Sequence, residues 1–170
     1  SADGATAVDG VSGGLGGPGD KATFTALRGI ADVIVAAAGT VRAEAYGPPR
    51  TPEAIRDQRV ARGQSPYPRL AIVTGSLDLD VDSSLFTEAP EPPYVFTTTD
   101  ADAGRVATLS AVAEVHRVGS GRVDLTQMAA VMLDEGARVV LVEGGPRLNG
   151  QLIAAGLMPS RPAFCANSMH

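Results

Sequence analysis

Apolar positions along this chain follow two periods that alternate with each other. From Asp20 to Ala31, Phe24, Leu27 and Ile30 recur at helical spacing, with Asp20 placed as an N-cap. Asp32 to Ala38 then forms an apolar run of strand length that ends at Gly39-Thr40. Leu70–Thr74, Tyr94–Thr98 and Glu114–Val118 are three further short strands. Between them the pattern predicts a helix over Ala101–Leu109. A second, over Leu125–Glu135, carries Leu125, Met128, Ala129 and Met132 on one face and is closed by Gly136. A last strand starting at Arg138 leads into a helix that runs to Gly156. Gly47 to Pro68 shows no period and reads as a long surface excursion. Strands alternating with helices imply an α/β fold whose mostly parallel sheet is covered on both faces.

The segment from Arg138 to Leu148 is the most informative. Its β-branched run ends at Glu143, passes through Gly144 and Gly145, and meets Pro146, a residue suited to the first turn of a helix. The glycines let the backbone approach a ligand, and the helix start offers N–H groups to an anion. The strand ending at Gly39-Thr40 supplies a second such edge. Taken alone, Thr40 reads equally well as a helix cap and as a ligand contact, and Glu44 as a solvated first-turn acid. Two such edges lining one crevice favour the ligand reading. Gly14-Leu15-Gly16-Gly17-Pro18-Gly19 matches a dinucleotide fingerprint in letters only. No strand precedes it, so a loop lying over a ligand is the better reading, with Ser12 as a hydrogen-bond donor.

Composition narrows the function. With 14 basic against 19 acidic residues, a net charge of −5 argues against general nucleic-acid binding. The single Cys165 excludes an intramolecular disulfide and a cysteine-based zinc site. No apolar run reaches the ~20 residues of a membrane helix, and the default expectation is a cytoplasmic protein. No His/Cys metal cluster, nucleophile elbow or P-loop lysine is present, and His116, inside a strand, reads as a structural or surface residue rather than a catalyst. Elimination therefore favours cofactor chemistry, hydride transfer above all. The ends look irregular: Ser1-Ala2-Asp3-Gly4 is a turn with no strand feeding it, and residues 158–170 lack any period. The expectation is a partial domain over residues 1–157, followed by a tail foreign to the fold.

The ordered segments resemble the reductase domain of riboflavin biosynthesis, the C-terminal domain of bacterial bifunctional deaminase-reductases. The resemblance is carried by Ser1-x-Asp3-Gly4, Gly10-x-Ser12-Gly13, Leu27-Arg28 with Ala31-Asp32, Gly39-Thr40-Val41-Arg42-Ala43-Glu44 and Val142-Glu143-Gly144-Gly145-Pro146-x-Leu148. Gly16-Gly17-Pro18-Gly19-Asp20 and Thr40-Val41-Arg42-x-Glu44-x-Tyr46 are most similar to the actinobacterial pyrimidine-reductase branch. The fold this implies is dihydrofolate-reductase-like: three layers, α/β/α, around a mostly parallel sheet, here truncated at both ends.

The function it implies is NADPH-dependent reduction of 5-amino-6-(5-phosphoribosylamino)uracil, a small-molecule substrate, at the sugar C1′. By motif, Ser12, Arg28 and Glu143 would hold substrate, with Arg50 as a second substrate arginine. Asp3 and Glu143 would serve the chemistry. Gly14, Thr40 and Glu44 would contact NADPH, and Gly145, Pro146, Arg147 and Leu148 would wrap its pyrophosphate. Thr74 or Ser76 would approach the adenosine 2′-phosphate. The resemblance further implies a homodimer. Two rivals stay open: a pterin or dihydrofolate reductase on the same fold, and a non-catalytic nucleotide-binding remnant.

Overall fold

The computed structural model describes residues 18–158, with side chains from residue 22 onward. The expectations for Asp3, Ser12, Gly14 and the tail beyond Met158 lie outside the described residues. The described residues open with α1 (Pro18–Ile30), which starts two residues before the expected cap at Asp20. Proline's fixed φ suits a first helical turn, so the helix can begin there. Then come β1 (Val33–Ala37), α2 (Ala38–Ala43), α3 (Glu53–Ala61), β2 (Arg69–Val73), α4 (Ser84–Thr87) and β3 (Tyr94–Thr97). α5 (Ala103–Leu109), β4 (Glu114–Arg117), α6 (Leu125–Asp134), β5 (Val140–Gly144) and α7 (Pro146–Ala154) complete the described chain.

Two expectations are corrected. The stretch from Gly47 to Pro68 is not an unstructured excursion, because it contains α3. Apolar periodicity missed this helix because the side chain it buries most completely is Arg59, not a hydrophobe. The strand expected to run to Ala38 also stops sooner: β1 ends at Ala37 and helix α2 starts at once, at Ala38.

The five strands are all parallel, in the order β4-β3-β2-β1-β5. From β1 the sheet grows outward through β2 and β3 to β4, and the chain then returns to place β5 on the other side of β1. Successive side chains point to opposite faces, so each strand feeds two cores. Ile34, Ile72 and Val95 pack with Val41 of α2, Leu85 and Phe86 of α4 and Leu109 of α5. Val35, Ala71 and Phe96 pack on the opposite face with Met128 and Met132 of α6 and Leu148 and Leu152 of α7. Each fully buried Ile or Phe contributes about 2 kcal/mol from area removed from water. The result is the expected α/β/α sandwich, and its order reverses between β1 and β5, the place where open parallel sheets bind ligands at the C-terminal tips of the strands.

Candidate functional site at the tips of strands β1 and β5

Glu143 occupies an irregularity in β5. Val142 pairs with Val35 and Gly144 with Ala36, which leaves Glu143 as the extra residue of a β-bulge. Bulges re-aim side chains at the ends of pairing. Here the bulge buries a carboxylate completely. A carboxylate removed from water must find donors, and it finds them on two other elements. From the last turn of α1, Arg28 donates through Nε to Oε1 and through Nη2 to Oε2, both at 2.6 Å. The Tyr46 hydroxyl donates to Oε2 at 3.0 Å.

The Arg28 guanidinium also lies 4.4 Å from the centre of the Phe24 ring, a cation–π contact one helical turn back. Its side chain is 20 % exposed, so the guanidinium that grips Glu143 is not wholly removed from solvent. Burial works to lower the Arg28 pKa, but the hydrogen bonds and negative charge of Glu143 outweigh it and raise the pKa above the usual arginine value. The Tyr46 phenol is raised far above a free tyrosine, first by burial and then by the charge and hydrogen bond of Glu143. It therefore stays protonated, and remains a donor, across the physiological range.

The two turns flanking Glu143 touch each other. A Cβ at Gly145 would lie 3.2 Å from the Ala37 Cβ and 3.5 Å from the Thr40 Oγ1, and φ there is +95°. Only glycine fits that conformation in that space. Thr40, in the first turn of α2, thus stands beside the start of α7, whose N-cap has no side-chain partner for the helix N–H groups. Those N–H groups and the Thr40 hydroxyl form a cradle of donors, the kind of group that helix starts offer to anions. Pro146 and Arg147 are exposed on this cradle, whereas the Leu148 side chain is 3 % exposed and belongs to the core. Leu148 therefore offers a ligand backbone only. Glu44, half-buried, is the C-cap of α2.

The remaining expected residues have partners of their own. The Thr74 hydroxyl accepts from the Leu77 N–H at 3.0 Å and closes a turn in which Leu77 takes a φ of +54°. Ser76, exposed, gives its carbonyl to Arg105 at 2.8 Å. Arg50 forms a surface ion pair with Glu88 at 2.9 Å, and among the described residues no hydrogen bond or ion pair joins it to Arg28 or Glu143. Sequence reading gave Tyr46 no role beyond its place in a motif, and missed the contribution of Phe24. No metal-binding group of three His, Cys, Asp or Glu side chains occurs among the described residues. No described helix is long and apolar enough to cross a membrane.

A buried carboxylate on a bulge, beside a glycine turn at a strand-order reversal, fits the family suggested by the motifs. The family profile of the RibD C-terminal domain matches residues 1–160. The chain belongs to that family. Among solved structures it is similar to a pyrimidine reductase-like protein from Corynebacterium diphtheriae, with 31 % identity and a TM-score of 0.84. That match covers 93 % of this chain and 67 % of the other. RibD of Acinetobacter baumannii has a TM-score of 0.68 at 18 % identity, covering 99 % of this chain, which spans 46 % of that protein. The riboflavin biosynthesis reductase Rib7 of Saccharomyces cerevisiae has a TM-score of 0.60 at 20 % identity, covering 94 % of this chain and 71 % of that one. A search of curated proteins finds no match.

Proposed function

We propose that this chain is an NADPH-dependent reductase of riboflavin biosynthesis that acts on 5-amino-6-(5-phosphoribosylamino)uracil. The observation that carries the reading is Glu143, fully buried on its bulge and held by Arg28 and Tyr46 next to the Gly145 turn. A buried ion pair is rarely retained for stability alone, since apolar residues serve a core as well. A polar, aminated ring is a ligand that such a carboxylate can recognise through its N–H groups.

The residues present fit the cofactor. Gly145, where a Cβ would strike Ala37, lets a pyrophosphate approach the backbone. The α7 N-terminus, Thr40 and the exposed Arg147 supply its donors. The chemistry a bound NADPH supplies is a hydride for the sugar C1′, ring-opened to an imine. Arg28, through the edge turned away from Glu143, would hold the substrate phosphate by charge-assisted hydrogen bonds. Glu143 would accept from the uracil and fix its orientation. Membership of the RibD C-terminal domain family supports this substrate over a pterin.

The test is NADPH consumption with the aminouracil phosphate and, in parallel, with dihydrofolate and a dihydropterin. Turnover of the aminouracil alone is expected. Glu143→Gln should lower kcat/KM for that substrate at least about tenfold, the worth of a hydrogen bond to a charged group, and leave the NADPH Kd within about twofold. Equal losses in both would refute the assignment of Glu143 to substrate.

A further inference from the structure

Arg28 and Glu143 come from α1 and β5, 115 residues apart in sequence, and meet through long side chains. A planar fork fixes the carboxylate relative to the guanidinium, but does not by itself fix the pair relative to the rest of the fold. An anchor from a different element contributes to that, and the Tyr46 hydroxyl at 3.0 Å from Oε2 is such an anchor. Its ring is 8 % exposed and packs in the core with Val41, so the phenol has little room to follow a moving carboxylate.

The backbone that presents Tyr46 is unusual. Four helices end in the same pair of bonds, one reaching back three residues and the next reaching back five. In α3, α6 and α7 the left-handed residue of this motif is Gly63, Gly136 or Gly156. In α2 it is Ala45, at φ +47°, with Ala45 bonded to the Arg42 carbonyl and Tyr46 to that of Val41. A side chain is disfavoured in that conformation, yet the fold holds it there, one residue before the phenol that meets Glu143. The same short helix carries Thr40 against Gly145 at its other end.

From this geometry we infer that Tyr46 is a positioning residue of the reaction, holding the Glu143 carboxylate, and with it the part-exposed Arg28 guanidinium, in the orientation that receives the substrate. The inference rests on the reductase reading above. Tyr46→Phe keeps the ring and removes the hydrogen bond to Glu143. With NADPH and the aminouracil phosphate, KM for the substrate should rise at least about fivefold, with kcat changed less than about threefold and the NADPH Kd within about twofold. In the same variant, hydrogen exchange at the Arg28 Nε–H, read by NMR without substrate, should accelerate at least about fivefold, because the fork has lost its anchor.

An unchanged substrate KM would overturn the role of Tyr46, and so would parallel losses for substrate and NADPH, which a merely structural residue produces. If the wild-type chain fails to reduce the aminouracil, the functional reading falls. The exchange measurement then decides alone whether Tyr46 anchors the pair, and unaltered exchange overturns the inference.

Discussion

Two arginines, each in the last turn of a helix, divide the labour of this molecule. Arg28 reaches up to a carboxylate at the C-terminal tips of the strands. Arg59 reaches down to a set of backbone carbonyls at the opposite end. It is fully buried and donates from Nη1 to the Ala31 carbonyl at 2.6 Å and to those of Arg28 and Gly29 at 3.3 Å, while its Nε bonds the Ser65 carbonyl at 2.8 Å. Arg62 adds a bond to the Gly29 carbonyl at 2.8 Å, and Gln64 one to that of Ile30 at 3.0 Å. Together these side chains satisfy the carbonyls that the end of α1 leaves open.

Gln64 also holds Asp32, whose other oxygen accepts from the Arg138 and Val139 N–H groups at 2.8 Å just before β5. The lower end of the molecule thus ties together the two elements that present Arg28 and Glu143 at the upper end. Burial pulls the Arg59 pKa below the usual arginine value, because no carboxylate shares a hydrogen bond with it, whereas Glu143 raises that of Arg28. A charge paired with another side chain can be removed together with its partner. A charge paired with backbone cannot, and this is the physical difference between a site and a clamp.

The largest effect should come from breaking the clamp. Arg59→Met strands several buried carbonyls and is expected to cost about 3 kcal/mol in urea unfolding. Replacing the upper network as a unit, Arg28→Met with Glu143→Leu and Tyr46→Phe, should leave stability within about 1 kcal/mol and abolish turnover. Comparable losses of stability in the two proteins would erase the distinction.

A smaller effect separates Asp32 by pH. Burial would raise its pKa, but the bonds from Gln64, Val139 and Arg138 outweigh this and lower it below the usual value. A depressed carboxylate contributes stability that is present above its unfolded pKa, about 4, and lost as pH falls through the lower folded value. Asp32→Asn should therefore be less stable by about 1 kcal/mol at neutral pH, with the gap closing below about pH 4. A gap independent of pH would show that shape, not charge, matters there.

The smallest effect concerns Ala45. Glycine at this left-handed position should raise stability by about 0.5 kcal/mol in thermal unfolding, since the strain of a Cβ is relieved. Loss of stability would mean that the Ala45 side chain makes a compensating contact.

Most of the strand and helix pattern was legible in the chain because it rests on local periodicity. The Glu143-Gly144-Gly145-Pro146 turn was legible for the same reason: glycine and proline impose their conformations wherever they stand. Helix α3 was not legible, because it buries an arginine, and burial of a charge is sensible only with the carbonyls of α1 in place. The bulge at Glu143 depends on its pairing with Val35 and Ala36 of β1, more than a hundred residues away in sequence. Tyr46 stood in a quoted motif without a role, since its partner lies 97 residues distant.

By itself, then, the sequence determined the α/β class, the glycine cradle at the start of α7 and the identity of the acid at the strand tip. These follow from periodicity and from residues whose conformational limits are intrinsic. Only the tertiary structure decided which donors the acid receives and that Arg59 is committed to the carbonyls of α1. Hydrogen-bond partners of buried charges are set by elements distant in sequence, and no local pattern encodes a meeting that packing alone brings about.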